Sequence, residues 1–247
     1  ATREDYEAVG DIEPHRHRVY AAMIRALDRS VGEVMDKLEA EGLADNTIIV
    51  FSSDNGGAGY LGLPEINSPF RGWKITLFEG GIRVPMFISW PGRIAPGTVI
   101  DDPVAHIDLM PTLAAAAGAP LPDGVEIDGR NMLPLAMGEA DRIERPDDAI
   151  YWSSGEYRVV RAGDWKLQVD GLQGRSWLFD LAEDPTEQVN LVDARPDKRA
   201  ELQALIDAHW AGARPPLYPH TTEGPIRIDK THVDPPAPGD EYVIWPN

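Results

Sequence analysis

The sequence has no cysteine, which excludes disulfides, thiolate metal sites and a cysteine nucleophile from this chain together. Basic residues are scarce: 23 Lys and Arg stand against 41 Asp and Glu, a net charge of −18. A surface of that sign repels nucleic acid and anionic membranes, and an anionic substrate needs a local reversal of it. No apolar run approaches the roughly 18 residues of a membrane span. The start, Ala1-Thr2-Arg3-Glu4-Asp5, has neither an initiating Met nor an apolar signal region, so a chain processed or cut at its start is expected. Internal repeats with a period of about 20 to 50 residues are also missing, which argues against a solenoid or propeller. With 43% hydrophobic and 26% charged residues in 247, the chain can bury a sizeable core.

Apolar residues Val19, Met23, Leu27, Val31, Val34 and Leu38 recur every three or four positions, which predicts a helix from Arg16 to about Gly42, with Gly42 as its stop. The run Thr47-Ile48-Ile49-Val50-Phe51 reads as a strand buried on both faces. Val84 to Trp90 is a second strand candidate, with Pro85 confined to its first position or to an edge. Helix followed by buried strand suggests an α/β parallel sheet, and Ile107 to Ala117 reads as a short helix stopped by Gly118. Beyond about Arg145 the texture changes. Ile150–Ser153, Tyr157–Arg161, Trp165–Asp170 and Trp177–Leu181 are short runs separated by Gly-containing turns, the signature of an antiparallel meander. A helix over Pro196 to Ala211 precedes a Pro-rich tail, Arg214 to Asn247, expected to wrap the surface rather than build core.

Chemistry is sought first at Ser52-Ser53-Asp54-Asn55-Gly56-Gly57, because ligands in open α/β sheets bind beyond the carboxyl ends of strands. Asp54 and Asn55 offer two hard oxygen ligands suited to Ca²⁺ or Mg²⁺, although Asp-Asn-Gly-Gly equally describes an ordinary turn. Two ligands leave a calcium shell of about six to eight oxygens unfilled. Between Ser68 and Arg83 three basic residues face one acidic residue, the local reversal of field that an anion needs. Lys74 would bind an oxyanion or hand over a proton, unless it is only a solvated lysine. Arg71 and Arg83 read as partners in structural ion pairs, one of them with Glu79. His106 reads as a helix-start or core residue rather than a pocket residue, His209 as a packing residue, and His15 and His17 as exposed. Trp152, Tyr157, Trp165 and Trp177 read as core or cross-strand residues more readily than as a platform for an aromatic or sugar group.

An ordered set of segments resembles the type I, formylglycine-dependent sulfatases, which include the arylsulfatases. It runs from Tyr20-Ala21-Ala22-Met23 through Asp45-Asn46-Thr47-Ile48-Ile49-Val50-Phe51-Ser52-Ser53-Asp54-Asn55-Gly56, Arg71-Gly72-Trp73-Lys74 and Glu79-Gly80-Gly81-Ile82-Arg83-Val84-Pro85. It continues through His106-Ile107-Asp108-Leu109-Met110-Pro111-Thr112-Leu113, Asp164-Trp165-Lys166-Leu167 and Leu178-Phe179-Asp180-Leu181 to Asn190-Leu191. The resemblance implies an α/β, alkaline-phosphatase-like fold, incomplete in this chain: a parallel sheet flanked by helices, plus a small C-terminal antiparallel sheet with a helix. It divides the chain into 1–147, the C-terminal part of the catalytic α/β domain, and 148–247, the antiparallel-sheet subdomain with its tail. It further implies hydrolysis of sulfate esters, with Asp54 and Asn55 as calcium ligands, Lys74 on the sulfate group, and structural roles for Asp108, Pro111 and Asp180.

The chain departs from that pattern where the nucleophile should be. Formylglycine arises from a Cys/Ser-x-Pro-x-Arg motif, and neither form occurs here; Ser68-Pro69-Phe70-Arg71 has the wrong order. Asp101-Asp102 and Asp147-Asp148 read as solvated turns rather than as the family's upstream metal pair. The resemblance therefore implies a chain that works with Ca²⁺ and a sulfate-ester substrate but requires an N-terminal sulfatase segment, which carries the formylglycine. By family expectation the protein is periplasmic or secreted. Alternatives from the residues are a phosphoester or phosphonate hydrolase of the same superfamily, or a non-catalytic binding remnant that lacks the nucleophile.

Overall fold

The computed structural model describes residues 1–63, 65–215, 217–218 and 223–246. In chain order the helices and strands are α1 (Arg3–Ala8), α2 (His15–Ala40), β1 (Ile49–Ser52), α3 (Glu79–Ile82), β2 (Met86–Ser89), α4 (Leu109–Ala116), α5 (Leu133–Ala136), β3 (Ala149–Ser154), β4 (Tyr157–Ala162), β5 (Trp165–Asp170), β6 (Arg175–Asp180), α6 (Pro196–Trp210), β7 (Glu223–Arg227) and β8 (Tyr242–Pro246). They form two compact units: Ala1–Ser52 with Pro85–Ile143, and Ser53–Val84 with Glu144–Asn247.

In the first unit α2 ends as its sequence dictates. Gly42 takes φ +66°; its N–H donates to the Glu39 carbonyl, and the Leu43 N–H donates to the Leu38 carbonyl, both at 2.9 Å. This pair of bonds is the Schellman closure that a glycine makes sterically accessible. The Thr2 capping box starts α1, whose buried Asp5 pairs with Arg29 of α2. β1 and β2 run antiparallel, Ile49 opposite Ser89 and Ser52 opposite Met86, so the parallel pairing expected from helix followed by strand does not hold for these two. Nor is β1 buried on both faces. Met86, Ile88, Val104 and Leu109 pack on a small core of Met132, Leu135 and Ile143, whereas Phe51 is 38% and Phe87 64% exposed. Among the described residues no strand pairs with the other edge of β1. The apolar stripe of α2 is open as well, with Met23, Leu27 and Val34 exposed and only Ala22 buried.

The second unit is built on the predicted meander. β3, β4, β5 and β6 pair in sequence order, all antiparallel, and Gly155 and Gly163 supply the left-handed backbone of the two tight hairpins at φ +56°. Alternation then sends side chains to two opposite faces. Ala149, Val160, Leu167 and Leu178 meet Leu202 and Ile206 of α6. Tyr157, Val159, Trp177 and Phe179 meet Phe78 together with Ile228 and Val243. The tail therefore builds core in part, while Leu217, Tyr218 and Val233 stay exposed as a surface segment would. Its β7–β8 hairpin contributes two fully buried residues, because its apolar residues Ile226, Ile228 and Val243 sit at strand spacing while Pro235, Pro236 and Pro238 fall in the connection.

Candidate functional site

The Asp54–Asn55 turn and the Lys74 loop lie in the second unit and are tied by their backbones. The Gly56 N–H donates to the Gly81 carbonyl at 2.8 Å, and the Lys74 N–H donates to the Gly57 carbonyl at 3.0 Å. The Asn67 side chain spans the same ground, accepting from Gly57 N–H at 2.6 Å and donating to the carbonyls of Gly57 and Gly72. Glycines are required where these backbones touch. A Cβ on Gly56 would stand 1.8 Å from the Gly80 carbonyl oxygen, and one on Gly81 would stand 2.0 Å from the Thr76 carbonyl oxygen.

The loop after Lys74 is strained: Ile75, a β-branched residue, has φ +89°, a conformation that persists only when its surroundings enforce it. Thr76 closes the turn on both sides, accepting from Trp73 N–H at 3.1 Å and donating to the Trp73 carbonyl at 2.8 Å. Lys74 itself is half-buried and makes no ion pair among the described residues. The surplus of positive charge expected over Ser68–Arg83 is largely cancelled in the fold. Arg71 is held by Asp229 and Glu241, and Arg83 sits 3.8 Å from Glu79 and over the Phe70 ring.

Asp54 is exposed and makes no hydrogen bond or ion pair among the described residues, while Asn55 uses its amide nitrogen on the Gly56 carbonyl and keeps its side-chain oxygen available. That donor set has the chemistry of a calcium contribution, two hard oxygens from consecutive residues. Among the described residues no group of three or more His, Cys, Asp or Glu could hold a metal ion, so the two would supply part of a shell and not all of it.

Beneath this loop lies a charged cluster that the sequence reading missed. Lys166, fully buried on β5, donates to Glu79 at 2.8 Å and approaches Glu187 at 2.9 Å. Glu187 also accepts the Glu79 N–H at 2.5 Å and the Gln168 amide at 3.1 Å. Burial disfavours all three charges. For Lys166 the two carboxylates outweigh it and raise the pKa, and for Glu79 the Lys166 ammonium outweighs it and lowers the pKa. For Glu187 burial prevails and the pKa is raised. Tyr157, wholly buried, is pushed well above its usual value by the same loss of solvent. The alternation of β5 puts Lys166, Gln168 and Asp170 on one face of the strand, and all three are fully buried.

The other singled-out residues have structural partners. Asp108 accepts from the N–H groups of Ala105 and Arg130, Pro111 is buried in α4, and Asp180 accepts from Ala182 N–H. His106 opens the turn before α4 with its Nε2 3.0 Å from Ser52 Oγ. His209 stacks on Tyr151 at 3.9 Å, and His15 contacts the Tyr6 hydroxyl. Asp102 accepts from Ile143 N–H rather than lying free in solvent. Tyr157 and Trp177 are core residues, and Trp165 is faced by Arg195 and Lys198. His220 lies outside the described residues.

A family model described as Sulfatase matches residues 1–119, and the model of the C-terminal part of N-sulphoglucosamine sulphohydrolase matches residues 72–210. Human arylsulfatase A is 42% identical over 239 residues, which cover 82% of this chain and 44% of that protein. The steryl-sulfatase of Mus musculus is 33% identical over 239 residues, covering 81% and 38%. Of solved structures, Ps i-CgsB in complex with k-i-k-neocarrahexaose superposes with a TM-score of 0.75 at 32% identity, covering 85% of this chain and 46% of that one. The chain thus spans less than half the length of these relatives. With one family model covering more than half of its residues and an ordered match to sulfatases along most of its length, the chain belongs to the sulfatase family and carries part of its α/β, alkaline-phosphatase-like fold.

Proposed function

We propose that this chain supplies the calcium-binding and sulfate-binding part of a sulfuric ester hydrolase of the arylsulfatase kind. The observation that carries the reading is the direct coupling of two loops: Lys74, whose ammonium has no ion-pair partner among the described residues, is bonded through its backbone to the turn that presents Asp54 and Asn55. Lys74 would bind the sulfuryl group and offset the negative charge on its oxygens. Calcium bound with the help of Asp54 and Asn55 would add Lewis-acid charge at the same group.

The reading requires an N-terminal sulfatase segment that brings the formylglycine and the remaining metal ligands. The open apolar faces of α2 and of the β1–β2 pair, with Met23, Leu27, Val34, Phe51 and Phe87 exposed, support such a partner, since contiguous exposed apolar surface marks an interaction site. An exported, periplasmic or secreted location goes with it. The test is turnover of an aryl sulfate and an aryl phosphate by the full-length gene product, with and without a calcium chelator, and by its Lys74→Ala variant. Sulfate turnover that falls by about 100-fold or more on either perturbation is expected. Preference for the phosphate ester, or a Lys74→Ala enzyme of normal activity, would refute the assignment.

A further inference from the structure

We propose that Lys166, Glu79 and Glu187 are positioning residues that hold the Lys74 loop and the Asp54–Asn55 turn in one fixed arrangement. None of the three needs to touch substrate or metal for this. The inference deepens the sulfatase reading and rests on it for its functional consequence.

The connection is continuous on the page. Lys166 binds both carboxylates, and Glu187 fixes the Glu79 backbone N–H as well. Glu79 is the first residue of α3, and the next two residues face the site. Gly80 N–H donates to the Arg71 carbonyl at 2.7 Å, and the Gly81 carbonyl accepts from Gly56 N–H. Gly56 follows Asn55 directly, and Arg71 lies three residues before Lys74. On the other side Tyr157 joins in: its hydroxyl donates to Gln168 at 2.5 Å and accepts from Leu77 N–H at 3.1 Å. The cluster therefore grips the strained loop at Leu77 and Glu79, just beyond Ile75.

Two features mark the cluster as more than core filling. Its three buried members carry a formal charge of −1, with Arg83 3.8 Å from Glu79 on the exposed side, although an apolar set of the same volume commonly serves stability as well or better. It also contains a second left-handed residue, since Glu187 has φ +59°. Two non-glycine residues in that region, one beside Lys74 and one inside the cluster, are costly conformations that the network must enforce. A single ammonium held between two carboxylates fixes both in space, which suits a device whose task is geometry.

The experiment uses the full-length gene product and two variants, Lys166→Met and the neutral Lys166→Met/Glu79→Gln/Glu187→Gln. The triple variant leaves no unpaired buried charge and serves where the single variant does not fold. Three readouts are taken well below the melting temperature: calcium affinity by titration calorimetry, kcat and KM for an aryl sulfate, and hydrogen exchange of the Gly56 and Gly81 amides. A folded variant is expected to bind calcium about 10-fold to 100-fold more weakly, as for loss of residues that orient a ligand from behind. Its kcat/KM should fall by about 100-fold, the effect of misplacing groups by about 1 Å, and the two amides should exchange about tenfold faster. A folded variant with wild-type affinity, kcat/KM and amide protection overturns the proposal. Loss of melting temperature alone, with those three unchanged, also overturns it by showing a purely structural role. If the wild-type protein neither binds calcium nor hydrolyses the ester, the sulfatase reading fails instead, and the amide exchange still decides whether the cluster holds the two loops together.

Discussion

Gly56→Ala is the sharpest probe of how the candidate site is assembled. The added Cβ would lie 1.8 Å from the Gly80 carbonyl oxygen, 2.8 Å from the Gly80 carbonyl carbon and 2.9 Å from Gly81 Cα. These are backbone atoms, so no rotamer change relieves the clash. Carbon–oxygen contacts in proteins settle near 3.3 Å or more, so the two segments must part by about 1.5 Å. That separation breaks the 2.8 Å bond from Gly56 N–H to Gly81. Overpacking costs about 1–3 kcal/mol and the lost buried bond about 0.5–1.5 kcal/mol, so a total of about 2–4 kcal/mol is expected. At about 2–4 °C per kcal/mol for a chain of this size, the melting temperature should drop by about 5–15 °C. Thermal unfolding followed by circular dichroism measures it. Gly32→Ala is the control, because a Cβ there meets nothing within 4 Å, and in mid-helix it should stabilise by up to about 1 kcal/mol. A Gly56→Ala protein melting within about 2 °C of wild type would refute the claim that the turn and α3 are in enforced contact.

Arg71→Ala should destabilise the chain by about 1–3 kcal/mol in urea denaturation, since it removes a side chain only 8% exposed and its bonds to Asp229 and Glu241, while Asp229 is half exposed and Glu241 keeps Arg175. Arg71→Lys should not restore it, because the guanidinium grips Asp229 with two nitrogens at once; full rescue by Lys would contradict this. On the alkaline side the buried groups act in the same direction. The raised Lys166 contributes stability that is complete below its ordinary 10.5 and lost as pH climbs through the raised value, and Tyr157, kept neutral, likewise loses its contribution above 10.0. On the acid side they oppose: Glu79, lowered, contributes above 4.5 and loses it as pH falls through its lowered value, whereas Glu187, raised, contributes below 4.5 and loses it as pH rises through its raised value. The melting temperature should therefore fall above about pH 10, and less steeply in Tyr157→Phe; identical alkaline limbs would show that Tyr157 takes no part.

Helices and hairpins were legible because their signals are local. The period of α2, the Gly42 stop and the Gly-punctuated meander each depend on residues within a few positions of one another. Pairing sense was not, since the apolar run at Thr47–Phe51 says that the strand is covered without saying by what. The buried cluster was missed for a similar reason: on β5 the pattern Trp165, Leu167, Val169 against Lys166, Gln168, Asp170 has the form of a half-buried strand. What covers Lys166 and Gln168 is the segment around Glu79, 87 positions from Lys166, together with Glu187, and Asp170 is met by Ile244 of β8. Asp54, Asn55 and Lys74 stood out as residue types that could bind calcium and an anion, and only the ordered resemblance to sulfatases separated them from an ordinary turn and a solvated lysine. Arg71 and Arg83 read correctly as ion-pair residues, but the partners of Arg71, Asp229 and Glu241, lay in a stretch expected to contribute little.

The site loop is fastened by residues that the ribosome delivers much later. Glu79 meets Lys166 across 87 positions of sequence and Glu187 across 108, so when Ile75 and its local Thr76–Trp73 bonds are in place the cluster that grips Leu77 and Glu79 does not yet exist. The cluster that holds the loop is complete only when the chain has grown past Glu187. Contacts of such long sequence separation form slowly, and a nascent chain stalled before that point would hold the residues of the site without its geometry. Any cofactor or partner that reads the shape of this loop is thereby reserved for molecules whose C-terminal sheet has already closed.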